Sequence, residues 1–486
     1  MIKDIVKIHD KFSVEIKLIY GTSLKKRVPK YDVLTYLFIP EGLNINRQTY
    51  TKDKFYNDVK VNIRYNTPNY SLYDFIKKNG LIDKLEKLLF DNNKGVQTVD
   101  TLITQTKLFG SIFSSAIRLD IRNVRKKISK NSIKDLKAID ELIGQIIDRY
   151  RGLIMRHESE LCNKDKKLLL LADEFLSNAV EHNYVMLYDY FIRKKYKLNK
   201  EIYKIIVGRV EKEHNYRKEK KYKTVPKKNS TNEVLLYFRS QLKKYIDSIL
   251  FLKKEVRREG AVFEQTIFAL VAGLAMLFST TVAFYYQQKY GNFTFPFFIA
   301  LVISYMFKDR IKSLVGYFFL HKAHSFFYDY KINIYANEKT KVGIIKENFT
   351  FIPYVSLSKT IRNFRLKERF IADEIQELAE HVIQYKKRVK IYKKKFRKGI
   401  DDENITSLAD ITRINFHRIV LQMDNPKKTH AVIENNRIVK KIGDRVYHIN
   451  IIQKFYSEEG ANFKMYRVVI SRDGIKRIER IDLENG

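Results

Sequence analysis

The chain has no tryptophan, and of its 486 residues only one is cysteine and seven are proline. A single thiol, Cys162, excludes an intramolecular disulfide framework and a multi-cysteine zinc site, and it fits a reducing cytoplasm for the parts outside a membrane. Acid is scarce too: 55 Asp and Glu stand against 93 Lys and Arg, a net charge of +38. A surplus of that size points to an anionic partner, whether lipid headgroups, nucleic acid or an acidic protein. The same Lys-, Ile-, Asn-, Tyr- and Phe-rich profile is what AT-rich coding produces, so charge alone selects no function. The opening residues MIKDIVKI are too short and too charged for the apolar segment of a secretory signal.

Catalytic signatures are missing. There is no phosphate-binding loop GxxxxGK followed by Ser or Thr, no GxGxxG, no HExxH and no GxSxG. His157–Glu158 lacks the second histidine of a zincin. Glu174, Asn178 and His182 share one helical face at i, i+4 and i+8, which suits a metal or an acid–base group, although hydrogen-bonded helix faces of this kind are far commoner. His321 and His324 lie three apart, and Cys162 has Lys164 close by but no evident base. The expectation is a non-enzymatic protein with no catalytic residue, cofactor or metal.

What stands out instead is apolar. Residues 265–288 carry no formal charge, Lys289 interrupts, and 290–307, which include Pro296, form a second uncharged stretch. A helix needs about 20 apolar residues to cross a bilayer core, so the first stretch qualifies and the second is marginal. Lys253, Lys254, Arg257 and Arg258 precede the pair, and Lys308, Arg310 and Lys312 follow it. Positive flanks stay in the cytoplasm, so the expectation is a multi-pass protein of the inner membrane, spanning twice, with both termini cytoplasmic. In outline this arrangement resembles bacterial two-span membrane effectors with signal-sensing cytoplasmic domains. No motif carries that resemblance, so it transfers no residue.

Two heptad seams flank the apolar hairpin. Leu235, Phe238, Leu242, Tyr245, Ile249, Leu252 and Val256 run toward the first span, and Ile371, Ile375, Leu378, Val382, Tyr385, Val389, Tyr392 and Phe396 follow the second. Both predict long amphipathic helices, either coiled coils or helices packed on a core. The second carries the densest positive run of the chain: Lys386, Lys387, Arg388, Lys390, Lys393, Lys394, Lys395, Arg397 and Lys398. These nine are the candidate anion-binding residues. Tyr385, Tyr392 and Phe396 could stack on bases, but lying on the seam they fit core packing better.

The fold class expected is α+β, with a transmembrane helical hairpin between two cytoplasmic mixed α/β regions. Residues 1–69 read as a small β-rich region, with strands at 12–20, 33–39 and 59–65. Residues 70–232 read as helical, at 81–90, 107–128, 133–160, 167–195 and 200–217, ending in a basic linker at 218–232. A heptad helix at 233–260 and the hairpin at 261–307 follow. Residues 308–428 hold a juxtamembrane helix (309–327), a β-hairpin (328–335 and 342–352) and the basic helix. Residues 429–486 form an antiparallel meander, with strands at 446–455, 463–470 and 475–481 and a turn at Asp473-Gly474. Three functions fit: an inner-membrane interaction or effector protein that engages anionic partners, a membrane-anchored nucleic-acid sensor or enzyme, and an effector that perturbs membranes as a homo-oligomer.

Overall fold

The computed structural model describes residues 2–22, 27–93, 99–126, 132–159, 161–194, 200–227, 229–292, 294–324, 327–367, 380–399, 404–434, 437–457 and 460–482. The chain opens with strands β1 (Ile2–Ile8), β2 (Ser13–Gly21) and β3 (Lys30–Pro40), helix α1 (Lys52–Asp58) and strand β4 (Val59–Tyr65). Helices α2 (Tyr73–Ile76), α3 (Leu81–Asn93), α4 (Val99–Lys126), α5 (Ser132–Arg156), α6 (Asn163–Arg193), α7 (Lys200–Glu219) and α8 (Glu233–Asp247) follow. Strand β5 (Lys253–Arg258) leads into α9 (Ala261–Tyr290) and α10 (Phe295–His324). Then come β6 (Tyr330–Tyr335), β7 (Lys341–Ile352), α11 (Lys359–Lys367), β8 (Glu380–Ile391), α12 (Lys393–Lys398), β9 (Ser407–Asn415) and α13 (His417–Val420). The last strands are β10 (Lys427–Glu434), β11 (Arg437–Asp444), β12 (Tyr447–Ser457), β13 (Gly460–Ser471) and β14 (Gly474–Ile481).

The mixed α/β class holds, and the chain divides into two compact units. One comprises Met1–Ile63, Lys253–Asp401 and Ala409–Gly486, and the other Arg64–Leu252 with Asp402–Leu408. In the first, an eight-stranded antiparallel sheet has the order β14-β13-β12-β3-β8-β7-β6-β5, and a four-stranded sheet has the order β1-β2-β9-β4. Side chains alternate between the faces of a strand. The inward rows of β3, β7, β8 and β12 bury Val33, Leu37, Ile345, Phe349, Val389, Ile451 and Phe455. The outward face is partly covered by α11, which packs on Tyr36, Phe38, Val382, Ile452 and Met465. Strands β10 and β11 pair only with each other.

The early strands and the C-terminal meander appear where alternation predicted them, but not as separate regions. Strand β3 sits between β12 and β8, its Leu37 opposite Ile451 and its Val33 opposite Lys387. Residues on both sides of the hairpin therefore build one sheet.

Both seams are corrected. The first is helical only through α8: the chain passes through a short turn at Ser248–Leu250 and becomes β5, so no continuous helix enters the hairpin. The second seam is strand where the structure describes it. Its residues 371–378 lie outside the described residues, β8 holds Val382, Tyr385 and Val389, and α12 is one short helix. The juxtamembrane helix is no separate element either, because α10 runs unbroken from Phe295 to His324.

The second unit is helical, with α6 packed against α4 and α7. Its core is ionic as well as apolar. Arg151 Nε lies 3.0 Å from Asp173 Oδ1, and its Nη2 lies 2.7 Å from Glu213 Oε2. Tyr216 and Tyr222 donate to Asp173 at 2.9 and 2.7 Å. Burial opposes the Arg151 charge, but the two carboxylates more than offset it and raise its pKa. The expected 218–232 linker is in part packed: Thr224 is fully buried and donates from N and Oγ1 to Glu174 at 2.9 and 2.8 Å.

Among the described residues one helix, α9, is long and apolar enough to cross a membrane. It is not a core helix, since Leu270, Leu274, Met276 and Leu277 are each more than 60% exposed. Helix α10 does not meet that standard, because Lys308, Asp309, Arg310 and Lys312 follow Phe307. The two helices pack through small residues: Ala275, Ala300 and Ser304 are buried, and Ser279 Oγ lies 3.3 Å from Ser304 Oγ.

Candidate anion-binding surface

The nine candidate cations fall into three places. Because β8 is a strand, Lys387 points inward while Lys386, Arg388 and Lys390 point outward. Lys387 is 2% exposed, and its Nζ lies 2.8 Å from Asp410 Oδ2, 3.4 Å from Glu347 Oε1 and 2.6 Å from Thr412 Oγ1. It is therefore an internal cation holding β8 to β9 and cannot meet a partner. Burial pushes the Glu347 carboxyl above its ordinary pKa, with Lys387 opposing. The remaining cations, Lys393, Lys394, Lys395, Arg397 and Lys398, lie on or at the ends of α12, beyond the C-terminal end of β8. Lys394, Lys395, Arg397 and Lys398 are exposed. Tyr385 and Phe396 are buried, which removes them as stacking platforms.

The outward row of β8 is extended by its neighbours. Arg388 lies opposite Lys346, Lys346 opposite Lys331, and Lys331 opposite Arg257. Directly opposed residues of antiparallel strands share a face, so four cations from β5, β6, β7 and β8 form one transverse ladder. Like charges in that relation repel. Three carboxylates relieve part of it: Glu255 pairs with Arg257 at 2.5 Å, Glu259 pairs with Lys346, and Asp32 pairs with Arg388 at 2.7 Å. The Asp32 hydrogen bond raises the Arg388 pKa against the cost of its partial burial. Lys331, Lys386 and Lys390 make no ion pair among the described residues.

Tyr328 stands at the centre of this face. Lys346 Nζ, Lys386 Nζ and the Arg388 guanidinium lie 5.6, 5.4 and 5.7 Å from its ring centroid, within cation–π range. Its hydroxyl oxygen is enclosed and has no hydrogen-bond partner. Burial and the carboxylates of Asp32 and Glu259 raise its pKa, against Arg388.

The same segment forms the foot of the α9–α10 hairpin. Glu259 N donates to Asp329 O at 3.2 Å, and Tyr328 N donates to Glu259 Oε2 at 3.2 Å. Asp329 accepts from Tyr56 at 2.9 Å and from Phe349 N at 2.7 Å.

The other sequence candidates are structural. Asn178 donates to Thr224 Oγ1 at 2.9 Å, beside Glu174, so these two residues pin a loop. Partial burial and the cations Lys243, Arg118, Arg239 and Arg125 hold the His182 imidazole below its ordinary pKa. Cys162 caps α6, its Sγ accepting from Asp165 N at 3.4 Å, and Glu158 pairs with Lys166 at 2.6 Å. The side chains of His321 and His324 lie outside the described residues. Among the described residues no group of His, Cys, Asp and Glu is placed to hold a metal ion.

No protein family matches the chain, and neither does any curated protein or solved structure. Sequence inspection found Lys386, Arg388 and Lys390 but missed Arg257, Lys331, Lys346 and Tyr328. The sequence marked 328–335 and 342–352 as a hairpin and placed Arg257 in a helix, and nothing in it paired those segments with β8.

Proposed function

We propose that the chain is a non-enzymatic interaction protein anchored in the inner membrane. In this reading α9 and α10 cross the bilayer as a hairpin, both termini are cytoplasmic, and the basic outer face of the large sheet engages an anionic partner.

The observation that carries the reading is the strand pair at the foot of the hairpin. Arg258 and Tyr330 are direct cross-strand partners, so the chain leaves the sheet and returns to it at one place, and a path that crosses on α9 has to come back on α10. Each helix has 30 residues, about 45 Å at a 1.5 Å rise. Lys308 to Lys312 then stand roughly 20 to 26 Å along α10, so a crossing on α10 brings Lys308, Asp309, Arg310 and Lys312 into the bilayer. Lys253, Lys254, Arg257 and Arg258 precede α9 at the end this orientation places in the cytoplasm.

The test is extraction of the expressed full chain from membranes with alkaline carbonate and with urea. Retention in the pellet is expected, with release only by detergent. Release by carbonate would overturn the reading. A salt series against nucleic acid separates the alternative partner, since nucleic-acid binding would show a steep salt slope.

A further inference from the structure

We propose that the face around Tyr328 binds the phosphate of an anionic phospholipid headgroup, with Lys331, Lys386 and Lys390 as the cations left for it. This rests on the membrane reading above and names the partner of that same surface.

Position supports it. The uncharged stretch 265–288 of α9 is about 36 Å long at 1.5 Å per residue, enough to cross a bilayer core of roughly 30 Å. Residues just before α9 therefore stand at the level of the headgroups. Glu259 is two residues before α9, and Tyr328 is four after α10. The cation ladder and the ring of Lys346, Lys386 and Arg388 lie at that level because β5 and β6 lead directly into the helices.

Chemistry supports it as well. Glu255, Glu259 and Asp32 offset Arg257, Lys346 and Arg388 one for one, and a bound phosphate would supply the charge that Lys331 and Lys386 lack. A lysine ammonium is a compact donor suited to phosphate oxygens. The Tyr328 ring lies within cation–π range of Lys386, and tyrosine is at home at a membrane interface. The exposed cations of α12 follow the C-terminal end of β8, past Ile391, and serve as an internal control of equal charge.

The experiment uses the full chain purified in neutral detergent. Phosphatidylglycerol and phosphatidylcholine are titrated, with retained lipid read by native mass spectrometry and thermal unfolding read in parallel. Wild type should prefer phosphatidylglycerol, and Lys331→Gln/Lys386→Gln should lose that preference by roughly 10- to 30-fold, about fivefold per lysine. Lys394→Gln/Lys395→Gln should change it less than about twofold. Equal losses in the two variants, or none in the first, overturn the proposal. So does displacement of the lipid by millimolar inorganic phosphate, which would make the site one for a soluble anion. An unchanged melting temperature in lipid-free detergent checks that the variants fold. Reconstitution into pure phosphatidylcholine vesicles separates the two readings. Failure to insert there sinks the membrane reading, whereas insertion without anionic preference sinks this inference alone.

Discussion

Lys387 and Asp410 form a buried ion pair that joins the two sheets: Nζ lies 2.8 and 3.0 Å from the two carboxylate oxygens, at 2% and 0% exposure. The pair bridges β8 of the eight-stranded sheet and β9 of the four-stranded one. Apolar packing between sheets tolerates small sliding, whereas an ammonium set among Asp410, Glu347 and Thr412 fixes one relative position. Removing one partner strands the other in a dry core. Lys387→Met is therefore expected to cost roughly 3–5 kcal/mol, read as a fall in melting temperature of the detergent-solubilised chain. Lys387→Met/Asp410→Leu should cost less than the sum of its single changes. An unchanged melting temperature for Lys387→Met would show that the pair contributes nothing.

That lysine also explains why the strand was hidden. Inward positions of β8 are Ile383, Tyr385, Lys387, Val389 and Ile391. With an apolar residue in the middle the alternation would have read as a strand. With Lys387 there, the apolar residues that remain, Val382, Tyr385, Val389, Tyr392 and Phe396, happen to satisfy a heptad. β5 was lost for a related reason. KKEVRR has one apolar residue, Val256, and becomes a strand only because β6 lies beside it; tertiary pairing decides such segments. By contrast β2, β4, β12 and β13, and helices α4 and α5, carry clean period-2 or period-3.6 patterns and were legible. The cation ladder was not, because it is assembled from pairings between residues as far apart as Arg257 and Arg388.

His182 should make stability fall on acidification. Its folded pKa lies below the ordinary 6.5, through partial burial and the cations Lys243, Arg118, Arg239 and Arg125. A histidine of this kind binds its proton more readily when unfolded, so unfolding gains as pH drops below about 6.5. His448 acts in the same direction, burial and Arg467 lowering it, and Glu347, whose folded pKa is raised, acts in the opposite one. Comparison with His182→Asn isolates the contribution of this imidazole. The variant should lose less stability than wild type between pH 7 and pH 5, measured by urea unfolding, and identical pH curves would refute the assignment.

Gly260 turns the chain from β5 into α9. Its φ is +87°, and a Cβ there would lie 3.2 Å from the ring of Phe327. An L-residue in that conformation costs roughly 1–2 kcal/mol before Phe327 has moved. Gly260→Ala should therefore lower the melting temperature, and Gly260→Val more so. Gly273, inside α9, has open space where its Cβ would stand, so Gly273→Ala should be neutral or stabilising by up to about 1 kcal/mol. Equal effects at the two positions would mean that the turn into the hairpin is not constrained.

The single cysteine makes the topology directly measurable. Cys162 Sγ accepts from Asp165 N at the start of α6, a role serine performs better than a thiol. Cys162→Ser should therefore leave the melting temperature within about 0.5 kcal/mol of wild type and provide a cysteine-free background. Asn292→Cys places a thiol in the α9–α10 turn, and Glu338→Cys places one in the exposed β6–β7 turn, where the carboxylate meets only Lys253 at 3.6 Å. With a membrane-impermeant maleimide, intact cells should label Asn292→Cys, whereas Glu338→Cys should label only after lysis. The pairing of Arg258 with Tyr330 puts both helix feet on one side, so labelling of both sites in intact cells, or of neither before lysis, would be incompatible with a hairpin that crosses and returns.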